Sequence, residues 1–102
     1  MAYQNVLTAL ADPTRRSIFE ALRDEPKSVG QIANDQPVSR PAVSQHLKIL
    51  QGANLVSVQP KGARNLYVVK REGLSELRQY LDEFWSDALT AFSEEVMRQN
   101  KI

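Results

Sequence analysis

The sequence predicts a mainly α-helical fold carrying one β-hairpin (α+β), in the order α-α-α-α-β-β-α. Three observations predict it. Apolar residues recur at helical spacing as far as about Ala53, the period falls to about two between Leu55 and Val69, and helical spacing returns near Arg71. No internal repeat, low-complexity stretch or linker interrupts the 102 residues, so residues 1–102 read as a single domain.

The first helix, Tyr3 to Ala11, places Tyr3, Val6, Leu7 and Leu10 on one side. Asp12-Pro13 restarts the chain, since Asp12 can cap a helix and Pro13 fits a first turn where its missing N–H is not needed. That second helix runs to about Arg23 with Ile18, Phe19 and Leu22 inward, and Asp24-Glu25-Pro26 ends it. Ser28 and Gln31 form a candidate capping box for a short third helix. After Asn34-Asp35-Gln36-Pro37, Ser39 caps a fourth helix that reaches about Ala53, and Asn54 suits a left-handed terminator. Two β-prone runs follow, Leu55–Gln59 and Asn65–Val69, joined by a loop of Pro60-Lys61-Gly62-Ala63-Arg64. The last helix carries Leu74, Leu77, Leu81, Phe84, Trp85, Ala88, Leu89, Phe92 and Val96 as one broad apolar stripe. Two short helices about a tight turn, followed by a hairpin, make a winged helix-turn-helix.

Composition narrows the function. There is no cysteine and a single histidine, His46, which removes thiol chemistry and leaves little from which to build a transition-metal site. No run approaches the length of a membrane span and no signal-peptide pattern is seen, so a cytoplasmic protein is expected. The net charge of +1 conceals a strong asymmetry. Residues 1–36 carry four basic and five acidic side chains, residues 72–102 carry three and seven, and residues 37–71 carry six basic and no acidic ones. An acid-free middle third flanked by acidic segments points to a polyanionic partner, and the helix described next makes that partner double-stranded DNA.

The segment from Ser39 to Gln51 is the candidate reading helix. At 100° per residue Val43, Leu47 and Leu50 share the inward face. Pro41, Gln45 and Lys48 then point outward, Ser44 lies on the flank, and Arg40 at the helix start can reach around. Gln45 is suited to adenine and Arg40 to guanine, Ser44 to a base or a phosphate, and Lys48 to charge alone. His46 lies beside the buried stripe, where it orients the helix or meets a phosphate. Lys61 and Arg64 at the hairpin tip suit a wing lying along the minor groove.

Three stretches resemble the ArsR/SmtB-type winged-helix repressors: Leu10-Ala-Asp-Pro-Thr-Arg-Arg-Ser-Ile, Ser39-Arg-Pro-Ala-Val-Ser-Gln-His-Leu-Lys-Ile-Leu, and Asn54-Leu-Val-Ser-Val through Gly62-Ala-Arg-Asn-Leu-Tyr. Together they span about residues 3–98. The resemblance implies a homodimer that binds an inverted-repeat operator and blocks transcription until released. It implies that the first and last helices form the dimer interface, which assigns Tyr3, Val6, Leu81, Phe84, Trp85, Leu89 and Phe92 to that surface. Metal-sensing relatives carry a cysteine pair where this chain has Ser28-Val-Gly-Gln-Ile, or histidine ligands on a last helix that here has none. The expectation is a branch without metal or other cofactor, relieved in some members by a protein partner. Two other classes compete with this one: a winged-helix protein-interaction module that no longer binds DNA, which the acid-free middle third disfavours, and an enzyme, for which the sequence offers no catalytic constellation.

Overall fold

The computed structural model describes residues 2–100, with side chains from Gln4 onward. Its elements are α1 (Ala2–Ala11), α2 (Pro13–Ala21), α3 (Val29–Asp35), α4 (Arg40–Gly52), β1 (Val56–Lys61), β2 (Arg64–Val69) and α5 (Arg71–Gln99). The expected order is the observed one.

Local chemistry explains the helix ends. The Asp12 carboxylate accepts the Arg15 N–H at 2.9 Å, and Pro13 occupies the first turn of α2. Arg15 and Arg16 turn back and donate to the last carbonyls of α1, from Arg15 to Ala9 and Thr8 and from Arg16 to Leu10. The Asp-Pro-Thr-Arg-Arg run thus closes one helix while it opens the next. The expected capping box is present in both directions: Ser28 Oγ accepts from the Gln31 backbone, and Gln31 Oε1 accepts from the Ser28 backbone. Ser39 Oγ accepts the Ala42 N–H at the start of α4. At the other end of α4, Asn54 is left-handed (φ 59°). The Leu55 N–H reaches the Leu50 carbonyl and the Asn54 N–H that of Gln51, which is a Schellman closure.

The core comprises Val6 and Ala9 of α1, Ile18 and Leu22 around α2, Ile32 of α3, Val43, Leu47 and Leu50 of α4, and Ala53, Leu55 and Val56 beyond it. Leu74 and Leu77 of α5 pack against its edge, alongside Leu10. Val6 was expected at an intermolecular surface and is instead fully buried in its own chain. It shares the inner face of α1 with Ala9, while Leu7, on the other side, is exposed. The Tyr3 side chain, assigned to the same surface, lies outside the described residues.

The hairpin is tighter than expected. The antiparallel register runs from Val56 opposite Val69 to Lys61 opposite Arg64, so the connection is only Gly62-Ala63. Gly62 has φ +60° and Ala63 is not left-handed, the pattern in which only the first central turn residue needs glycine. Pro60 therefore lies within β1, opposite Asn65, not in a loop. A two-stranded ribbon tolerates it because both of its strands are edges. The ribbon gains a third contact that periodicity did not indicate: Lys27 and Tyr67 exchange both backbone hydrogen bonds, tying the middle of β2 to the residue just before α3.

Among the described residues, α5 packs on the core through Leu74 and Leu77, near its start. At 29 residues it is about 43 Å long, and it stretches the molecule to 71 × 25 × 25 Å. From Leu81 to Glu94 every residue is exposed. No described helix is long and apolar enough to cross a membrane.

Candidate nucleic-acid interface

Helix α4 is held by its inward side. Val43, Leu47 and Leu50 are completely buried, which fixes the rotation of the helix and turns Pro41, Gln45 and Lys48 to the exterior, with Ser44 half-buried at the flank. Ile49 also stands on this exterior, 45% exposed. At 100° per residue it lies 40° from Gln45, on the outward side, and it was not singled out from the sequence. An exposed branched alkyl group beside an amide is suited to a thymine methyl.

Arg40 does not project along this exterior face. Its guanidinium lies across α3, over Gly30: a Cβ on Gly30 would fall 2.6 Å from Arg40 Nη2 and 3.3 Å from its Cζ. There it lines an open groove of about 500 Å³ with Ser28, Val29, Gln31 and Asn34 of the α3 side and Arg64, Asn65 and Tyr67 of β2. The expectation that Arg40 shares a surface with Gln45 and Lys48 is thus corrected, and Arg40 is brought together with Arg64 of the wing. Gly30, Asn34 and Asn65 are groove residues that sequence reasoning did not single out. Nothing local marks them, because the groove forms only when the Lys27–Tyr67 pairing draws the wing to α3.

Lys61 and Arg64 are exposed and directly opposite each other at the end of the ribbon. Like charges in that position disfavour the hairpin, so the pair is better suited to a polyanion than to stability. Among the described residues the ion pairs are Lys27–Glu25, next to the groove residue Ser28, and Arg78–Asp82 and Arg98–Glu95 on α5. Arg40, Lys48, Lys61 and Arg64 have neither an ion pair nor a side-chain hydrogen bond among them.

His46 is half-buried and its Nδ1 is enclosed without a hydrogen-bond partner. The ring is close enough to Asp12 to add to the pull on that carboxyl, which the Arg15 N–H, first, and the Arg15 charge hold below its ordinary value. His46 thus lies on the side of α4 that faces the α2 cap. No cluster of three or more His, Cys, Asp or Glu suited to a metal ion occurs among the described residues.

On α5, Leu81, Phe84, Trp85, Leu89, Phe92, Val96 and Met97 are all exposed, Trp85 and Phe92 by 67% each. Tyr80 and Phe84 meet edge to face at 5.0 Å. A patch of this kind marks an interaction surface.

The comparisons with known proteins agree with this geometry. The family described as "Bacterial regulatory protein, arsR family" matches residues 12–58, which run from the α2 cap into β1. The chain is 54% identical over 86 residues to the HTH-type transcriptional regulator Rv2034 of Mycobacterium tuberculosis, covering 84% of this chain and 80% of that protein. It is 41% identical over 58 residues to the transcriptional repressor SdpR of Bacillus subtilis, covering 57% of this chain and 64% of that repressor. Among solved structures, an ArsR-like transcriptional regulator from Rhodococcus sp. RHA1 superposes with a TM-score of 0.82 at 25% identity, covering 99% of this chain and 95% of that one. The chain belongs to the ArsR family, and it is a helix-turn-helix transcriptional regulator and not an enzyme.

Proposed function

We propose that this regulator is a homodimeric repressor that binds an inverted-repeat operator through α4 and the wing. The observation that carries the reading is the exterior of α4 and of the wing tip, which presents an amide, hydroxyl and cations with no carboxylate. Pro41, Ser44, Gln45 and Lys48 enter the major groove. Gln45 and Ser44 read bases, Lys48 supplies charge, and His46 supports the helix from behind. Lys61 and Arg64 follow the backbone or minor groove beside it. The partner protomer covers Leu7 of α1 and Leu81, Phe84, Trp85, Leu89 and Phe92 of α5, which are exposed in the single chain. The absence of cysteine and of any histidine other than His46 supports release by a signal other than a metal, a protein partner among the candidates.

The test is a gel shift with duplex from the protein's own promoter against random duplex, over a range of salt. The expected result is a preference for an inverted repeat with half-sites about one turn apart and a steep salt dependence. Zinc and a chelator are expected to leave the affinity unchanged. Equal binding to random DNA sinks the operator reading, and zinc-dependent release sinks the metal-free one.

A further inference from the structure

We infer that the groove between α3, the start of α4 and β2 is a seat for a single DNA backbone phosphate, clamped by Arg40 and Arg64, and that Gly30 is the positioning residue that lets Arg40 reach it. This rests on the DNA-binding reading above and assigns Arg40 to the phosphodiester instead of a guanine.

The geometry separates two kinds of cation on this surface. Lys48 stands on the outward face of α4, where base edges are met. The Arg40 guanidinium leaves that face and lies over Gly30, in a groove whose other wall is β2 with Arg64. A duplex that admits α4 to its major groove presents its flanking backbone to the elements beside that helix, here α3 and the wing. The groove lining contains two arginines, the side chains of Ser28, Gln31, Asn34, Asn65 and Tyr67, and no carboxylate. Neither arginine spends its donors within the described chain, so both planar forks are available to phosphate oxygens. The space for Arg40 exists because residue 30 has no side chain. A methyl group there would stand 2.6 Å from Nη2 and displace the guanidinium, which, as the end of a flexible chain, moves without disturbing the backbone.

The experiment measures affinity against salt for the wild type, Arg40→Ala, Gly30→Ala and the double variant, on an own-promoter operator and a random duplex, with melting temperatures alongside. Arg40→Ala is expected to weaken both duplexes by the same factor, and to lower the salt slope by about one per protomer. Gly30→Ala is expected to weaken binding and reduce the slope in the Arg40 protein, leave the melting temperature equal or higher, and have no effect on binding in the Arg40→Ala background. Single methylphosphonates along the operator should reveal one phosphate per half-site whose neutralisation harms the wild type and not Arg40→Ala. Loss confined to one base pair with an unchanged slope would make Arg40 a base reader and overturn the inference. So would a Gly30→Ala effect that persists without Arg40. A wild type that binds no duplex at low salt overturns the DNA reading itself, a result distinct from either.

Discussion

Gly73 shows how one absent side chain holds two elements in register. It is buried in the first turn of α5, its N–H donates to the Asn54 carbonyl at 2.9 Å, and a Cβ would fall 2.5 Å from the Ala53 carbonyl oxygen and 2.9 Å from that of Asn54. Alanine is normally the better helix residue by about 1 kcal/mol. Here the obstructing atoms are backbone within the Schellman closure of α4 and cannot rotate away. Gly73→Ala is therefore expected to lower stability by about 2 kcal/mol net, the scale of an overpacked site, seen as a lower melting temperature; an increase would show that α5 is not seated as described. Asp12 makes a second prediction at this scale. Its folded pKa lies below the ordinary 3.8 because it accepts the Arg15 N–H. Its stabilising contribution is thus complete above the unfolded pKa and is lost as the pH falls through the folded one. The gap in melting temperature between wild type and Asp12→Ala should be widest at neutral pH and narrow toward pH ~2; a gap independent of pH would remove the ionised carboxylate from the account. The caps at Asp12, Ser28 and Ser39 and the inward triad of α4 were legible because they depend on residues three or four apart. The true position of Arg40 was not, because it depends on what is missing at residue 30, ten positions away and on another helix.

Among elements, the wing differs most from its sequence reading, and the difference has a functional edge. Pro60 and Gly62 together suggested a five-residue loop, but a two-stranded ribbon accepts proline, so the strands continue to Lys61 and Arg64. Besides the packing of Val56, Tyr67 and Val69 on the core, one backbone pair, Lys27 with Tyr67, ties the ribbon to the body and leaves no periodic trace in the sequence. The longer strands bring two cations face to face at the tip. Lys61→Glu converts that repulsion into an attractive cross-strand pair with Arg64, a change of a few tenths to about 1 kcal/mol in favour of the hairpin. The same substitution places a carboxylate against phosphate, and about tenfold weaker DNA binding with a shallower salt slope is expected at physiological salt. Stability and affinity should thus move in opposite directions, by thermal melting and gel shift respectively. If Lys61→Glu binds DNA as tightly as wild type, the wing does not touch the duplex.

At the scale of the molecule, burial is divided unequally. Helices α1 to α4 close a core around Leu47 and Leu50, while α5 contributes Leu74 and Leu77 to its edge and then leaves it. The apolar period along α5 was plain in the sequence, but period alone does not say whether a stripe meets its own domain or another chain. Val6 erred in one direction for that reason, and Leu81 onward turned out to be exposed. A lone helix with Phe84, Trp85, Leu89 and Phe92 in water lacks the packing that sustains most helices; in the dimer proposed above, the second protomer covers this stripe, stabilises α5 and sets the distance between the two α4 helices at once. Replacing both Trp85 and Phe92 by glutamate is expected to yield a monomer by sedimentation velocity, with α1 to α4 still folded and α5 partly frayed by circular dichroism. The operator preference should then collapse toward the affinity of one half-site, at least 100-fold weaker, since about 2.7 kcal/mol or more of joint binding is lost when the half-sites are no longer linked. A double variant that remains dimeric, or a monomer that keeps full operator affinity, would move the interface away from α5 and leave its apolar stripe to a different partner.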